Sequence, residues 1–198
     1  MTPSLHDPLV EQALRVAARA HSGQRRKASD LPYIVHPTAV ALILANAGES
    51  DPEVLAAALL HDVVEDTPAT MDELARQFPP RVIDIVGSLT EQKLDEDGNK
   101  RTWIDRKQDH LEHVRQASSD AQAVLLADKL HNLASMLEDL AIDGNDLWNR
   151  FGAPRDRILW YYRSMLDAVD QESNEVVKGL VTACETVLRR IEDYGCSD

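Results

Sequence analysis

Between Asp51 and Thr67 the chain reads DPEVLAAALLHDVVEDT, and this stretch decides the fold class. Asp51 followed by Pro52 is an N-cap with proline at the first helical position, where the missing N–H would have had no partner in any case. The run from Val54 to Leu60 is seven apolar residues, as long as any in the chain, and it ends at His61 and Asp62. The reading is a buried helix that carries HDVVED at its C-terminal end. Upstream, His36-Pro37 opens a helix through Ala47, and Asp7-Pro8 opens one to about Ser22 with Leu9, Leu14, Val16 and Ala17 turned inward. Downstream, Thr70 and Glu73 have capping-box spacing for a short helix that Pro79-Pro80 breaks, and Arg81 to Thr90 forms the next. Residues 91–100 (EQKLDEDGNK) read as a polar loop; longer helices follow at 101–117 and 119–141, then near 154–169 and 171–193. No segment alternates with period two and no βαβ pattern occurs, so the predicted class is all-α.

Composition narrows the function. Against 34 acidic residues stand 21 Lys and Arg, a formal charge of −13 over 198 residues. A chain of this length buries about 70% of its unfolded surface, enough for one core, and a single domain over 1–198 is expected. The acidic balance excludes a general nucleic-acid binder, and 5% aromatic residues leave few platforms for stacking single strands. No apolar run reaches the ~18 residues of a membrane span, and Met1 to Pro8 shows neither a basic nor an apolar signal region. Cys184 and Cys196 make no disulfide framework, which points to the cytoplasm.

Three segments combine imidazole and carboxylate in ways that packing does not require: His36 in PYIVHP, His61 to Asp66 in HDVVED, and Asp128 to Asn132 in DKLHN. Alone, a His-Asp dipeptide is more often a cap than a ligand. Here His61-Asp62 follows AAALL and Asp128 follows AVLLA, apolar settings where a charge is costly unless paired or metal-bound. Mixed His and Asp donors suit Mn, Fe or Zn, whereas Mg and Ca prefer all-oxygen shells. His61 and Glu65 are one helical turn apart, as are Asp62 and Asp66, so one helix end can offer two ligands and two further carboxylates that face a water. Asp128 and Asn132 share the same spacing. The acidic turn DEDGNK is no calcium loop: counted from Asp95, Gly98 falls fourth and Arg106 twelfth, where an EF-hand needs Gly sixth and Glu last. A basic stretch, Gln24 to Lys27, reverses the overall charge and suits a phosphate-bearing ligand, with Arg able to stack on a base.

The segments AHSGQRRK (20–27), PYIVHP (32–37), ALLHDVVEDT (58–67) and LADKLHN (126–132) together resemble the HD-domain hydrolases of the RelA/SpoT-homologue group, in particular its small alarmone hydrolases. The motif-bearing part spans about 9–170, with a packing helix and tail over 171–198. The resemblance implies a helical bundle of about ten helices, one Mn²⁺ ion, and hydrolysis of the 3′-diphosphate of (p)ppGpp; an Arg that stacks on any base makes ppApp an expected further substrate. It implies His36, His61, Asp62 and Asp128 as metal ligands and Glu65 and Asp66 as the carboxylates that manage the attacking water. Arg26 would lie over the purine, Lys27 would meet phosphate, Asn132 the ribose region, Tyr161 would line the nucleotide pocket and Lys93 would reach a phosphate. One departure stands out: many members carry Arg two residues after the Asn of this motif, where this chain has Ala134, which leaves the choice of purine open. Two other readings remain at this point. A phosphohydrolase of nucleoside monophosphates or dNTPs needs the metal set without the basic loop, and a catalytically silent nucleotide-sensing module has no use for Glu65 and Asp66.

Overall fold

The computed structural model describes residues 7–26, 30–171 and 174–194. Lys27, Cys196 and the first six residues, on which some expectations rest, lie outside them. The helices are α1 (Pro8–Ala20), α2 (Val35–Asn46), α3 (Pro52–Leu60), α4 (Val63–Asp66), α5 (Met71–Ala75), α6 (Pro80–Leu89), α7 (Trp103–Gln116), α8 (Ser119–Asp143), α9 (Arg155–Ala168) and α10 (Glu175–Asp193). Among the described residues there is no strand, only two isolated bridges, so the class is all-α as predicted.

Helix starts follow the sequence signals. Asp7 accepts from the Leu9 N–H at 2.8 Å and Asp51 from the Glu53 N–H at 2.9 Å, each before a proline at the first helical position. Thr70 and Glu73 close a full capping box. Two helices are internal. α3 is buried at Val54 and from Ala56 through Leu60, and α8 is buried without a break from Ala121 through Asp128. A helix covered on all sides belongs to the centre of a fold. α8 packs against α2, α3, α6 and α10, and α3 is sandwiched among α1, α2, α6 and α8. The outer helices are striped: α10 buries Val177, Leu180, Val181, Cys184, Leu188 and Ile191, at three- and four-residue steps along one face. Leu60 and Leu126, both fully buried, anchor the chain just before His61 and Asp128. Truncating either to alanine would cost about 2–5 kcal/mol.

One expectation is corrected. HDVVED does not prolong α3, which ends at Leu60; His61 and Asp62 form a turn and Val63–Asp66 is a separate helical turn. The His61 ring occupies the Ala58 carbonyl at 2.7 Å, the acceptor that the Asp62 N–H would use in a continued helix. Asp128 sits well inside α8. A 3₁₀ turn at Gly144–Arg150 follows α8, beginning at Gly144 with φ +57°, a conformation that favours glycine.

Candidate metal centre

The turn after α3, the start of α2 and the interior of α8 bring His61 and Asp62, His36, and Asp128 to one point. His36 Nε2 lies 3.1 Å from Asp128 Oδ1 and 3.4 Å from Asp62 Oδ2; His61 Nε2 lies 3.1 Å from Asp62 Oδ2 and 3.9 Å from Asp128 Oδ1. The ring orientations are fixed from behind. His61 Nδ1 faces the Ala58 carbonyl, which leaves Nε2 as the lone-pair nitrogen, and His36 Nδ1 meets His131 Nδ1 at 2.8 Å. His61 Nε2 is buried and lacks a hydrogen-bond partner.

A divalent cation resolves this arrangement. Two imidazole nitrogens crowd two carboxylate oxygens here, and only a proton or a cation between them relieves the contact. With metal–ligand bonds of ~2.0–2.2 Å, ligand atoms on a tetrahedral or octahedral shell stand ~3.0–3.5 Å apart, close to three of the four separations. The electrostatics agree. Burial opposes charge on His61, yet Asp62 and Asp128 lift its pKa to about 9. Burial would raise the Asp62 and Asp128 carboxyls, but the two histidines hold Asp62 well below the usual carboxylate range, and Lys129 with the histidines does the same for Asp128. The centre selects for positive charge.

Around the centre, Tyr33 donates its hydroxyl to Asp62 Oδ2 at 2.6 Å and lies 3.2 Å from Asp66 Oδ2. Burial and Asp62 push its pKa far above the ordinary phenol value, so the group remains a donor. Asp128 is held twice more: Asn132 Nδ2 donates to Oδ1 at 2.6 Å and Lys129 Nζ to Oδ2 at 2.7 Å. Glu65 and Asp66 stand beside the centre on α4. Lys93, expected to reach a phosphate, spans both: its ammonium lies 3.2 Å from Glu65 Oε1 and 2.8 Å from Asp66 Oδ1. Burial raises the Glu65 pKa, and Lys93 only partly offsets it.

The centre opens into a cavity of about 160 Å³ lined by Arg26, Tyr33, Glu65, Lys107, Lys129, Asn132 and Tyr161 as well as the histidines. Arg26 donates to Asn132 Oδ1 at 3.2 Å, and its guanidinium stands 5.8 Å from the Tyr33 ring centre. The expected nucleotide residues Arg26 and Asn132 are thus brought together. Tyr161 is elsewhere on the wall, with its hydroxyl 2.5 Å from His110 Nδ1 and the Lys107 ammonium 4.8 Å from its ring centre. Burial, together with Lys129 and Lys107, drives the His110 pKa down to about 3, so this imidazole is neutral. Ala134 borders a groove between α8 and α10.

Sequence reasoning assigns no role to Tyr33, Lys107, His110, Lys129 or His131. Lys129 and His131 stand inside the quoted DKLHN segment. Lys107 and His110 share a helix face at three-residue spacing, but α7 (WIDRKQDHLEHVRQ) is so polar all round that the pair does not stand out.

Comparison with known proteins agrees with this geometry. Residues 13–159 match the HD domain family. The chain is 38% identical over 174 residues to guanosine-3′,5′-bis(diphosphate) 3′-pyrophosphohydrolase MESH1 of Xenopus tropicalis, covering 87% of this chain and 84% of that one. With the human protein of the same name it shares 42% over 127 residues, covering 63% and 68%. A solved structure, a metazoan ortholog of SpoT that hydrolyzes ppGpp and plays a role in starvation responses, aligns with a TM-score of 0.75 at 29% identity over 94% of this chain and 97% of that one. The chain belongs to the HD-domain family, and within it to the group that contains the MESH1 proteins.

Proposed function

We propose that this protein hydrolyses the 3′-diphosphate of (p)ppGpp, releasing pyrophosphate, with Mn²⁺ held by His36, His61, Asp62 and Asp128. The observation that carries the reading is the convergence of His36, His61 and Asp128, with Asp62 beside both histidines, on one cavity that also holds Glu65 and Arg26. Nitrogen and oxygen donors in this mixture favour a transition metal over Mg²⁺ or Ca²⁺. Such an ion would polarise a phosphoryl oxygen and lower the pKa of a bound water.

The protein's own residues do the rest. The water oxygen bonds to the phosphorus next to the ribose, the bond from that phosphorus to the 3′-oxygen breaks, and the 3′-oxygen leaves as the ribose hydroxyl, taking a proton from solvent. Glu65, whose burial raises its proton affinity, takes the proton from the water. Asp66, fixed between Lys93 and Tyr33, orients that water. Arg26 stacks on the purine, Asn132 meets the ribose, Lys27 adds charge for phosphate, and Tyr161 closes the far wall. Local cations matter because the overall −13 repels an anionic nucleotide. All the helices serve one catalytic unit, which works in the cytoplasm. Stacking tolerates any base, so ppApp is turned over alongside ppGpp and pppGpp.

The test is incubation of the purified protein with Mn²⁺ and ppGpp, pppGpp or ppApp, with products separated by chromatography. Pyrophosphate with GDP, GTP or ADP respectively is expected. Release of orthophosphate alone, or inertness toward all three, would remove the reading.

A further inference from the structure

The wall of the cavity contributed by α7 and α8 carries two ammonium groups, Lys107 and Lys129, that the hydrolytic steps above leave unused. Both are largely covered, with side chains 18% and 16% exposed. Each spends one N–H on a carboxylate: Lys107 on Glu91 Oε2 at 2.6 Å, Lys129 on Asp128 Oδ2 at 2.7 Å. An ammonium has three donors, so each lysine retains two beyond that bond, in a cavity wall. Lys107 is moreover surplus as a counter-ion. Glu91 already pairs with Arg106, whose Nη1 lies 2.9 Å from the other carboxylate oxygen. Two buried like charges on one wall repel each other, and buried donors left without acceptors are costly. An arrangement of this kind is favourable when an anion lies between them.

We propose that Lys107 and Lys129 form the seat of the second phosphoryl group of the diphosphate, the one remote from the bond that breaks. The inference rests on the hydrolase reading above and adds a place for the rest of the departing pyrophosphate. The metal donors and Glu65 take the reacting phosphoryl; Arg26 and Asn132 take the nucleoside; the lysine wall takes the distal charge. The neutral His110, bonded to the Tyr161 hydroxyl, lines the same wall without adding a third like charge.

The experiment is calorimetric titration of the Mn²⁺-loaded protein with inorganic pyrophosphate and, separately, orthophosphate. Lys107→Met keeps the unbranched stem to within one atom of its length, removes the charge and leaves Glu91 paired with Arg106. Wild type should bind pyrophosphate at least about tenfold tighter than orthophosphate, and Lys107→Met should remove about tenfold of the pyrophosphate affinity while orthophosphate binding moves by less than about threefold. Lys107→Arg, which retains the charge, should recover most of the loss. Metal content and circular dichroism report whether either variant is misfolded; if Lys107→Met is, Lys107→Gln takes its place in the same titration. Equal pyrophosphate affinity in wild type and the neutral variant overturns the seat. Binding does not require turnover, so the two readings fail separately. A protein inert toward ppGpp that still shows the Lys107 dependence refutes the nucleotide reading alone, and one that turns over ppGpp without that dependence refutes the seat alone.

Discussion

Tyr33→Phe isolates one hydroxyl at the centre of the site. Phenylalanine keeps the ring stacked on His21, 4.6 Å between centres, and keeps the face beside Arg26. What disappears is the donor to Asp62 and Asp66. Hydrogen bonds to charged groups contribute about 1.5–3 kcal/mol net. Independently, loss of an outer partner of a metal ligand typically weakens metal binding or activity by ~10–100-fold, which at ~1.4 kcal/mol per decade is about 1.4–2.8 kcal/mol. The two routes agree, so the Mn²⁺ dissociation constant should rise by about 10–100-fold. Asp62 retains His36 and His61 beside it, so no buried carboxylate is orphaned and the variant folds. With metal saturated, kcat should remain about tenfold low, because Asp66 then has Lys93 alone to hold it, a fraction of the ~10²-fold or more that positioned acid–base groups supply. Competition with a chelator gives the affinity, and rates at saturating Mn²⁺ give kcat. If both stay within about twofold of wild type, the hydroxyl neither supports the metal ligand nor positions the carboxylate, and the reasoning from its two contacts is wrong.

Asp128→Ala removes a ligand and strands the Lys129 ammonium, a change of the kind that costs about 3–5 kcal/mol when a buried pair is broken; metal analysis and thermal melts should show loss of bound metal and a lower midpoint, with no turnover. Glu65→Gln combined with Asp66→Asn should leave metal content intact while kcat falls by ~10²-fold or more, and loss of metal in that double variant would reassign the pair as ligands. For pH dependence, Glu65 must be ionised to accept a proton, so kcat/KM falls as pH drops through its raised pKa, on the upper side of the ordinary 4.5. Lys93 favours the ionised form, so Lys93→Met should shift that acidic limb to higher pH; a limb that stays put or moves down excludes Glu65 as the base.

Legibility differs between fold and site for physical reasons. Helix starts are local events, decided by one capping side chain and a proline, and Asp7, Asp51 and Thr70 each appear in the structure as read. The end of α3 is not legible as a helix end, because the feature that stops it is a ring-to-carbonyl bond, and histidine carries no general stop signal of that kind. The 3₁₀ turn after α8 is equally silent in the sequence, because GNDLWNR has neither a cap pattern nor an apolar period. At the site, a metal centre is visible because a charge directly after an apolar run must be neutralised by a partner or an ion, and the resemblance then implies which four residues hold it. The structure brings together all four expected ligands as well as Arg26 with Asn132. Lys93 is legible as a cation near the site but not in its role. Its partners are 27 and 28 residues away in sequence, and only the fold of the 91–100 loop sets it across two carboxylates instead of toward open space.

The same distinction explains why the phosphate wall is hidden in the sequence. A metal ligand is conspicuous because its charge is costly without the ion, and that cost is written into the apolar residues before it. Lys107 and Lys129 already have carboxylates, Glu91 and Asp128, so each looks like half of an ordinary ion pair when met singly. Their significance comes from counting donors after the fold has brought α7 and α8 to one cavity: Glu91 holds two cations where one suffices, and Asp128 divides its oxygens between a lysine and the histidine centre. Site residues that answer to the bare protein can be read from sequence, whereas those that answer to the substrate become visible as an excess, cations left over once every acid has been matched.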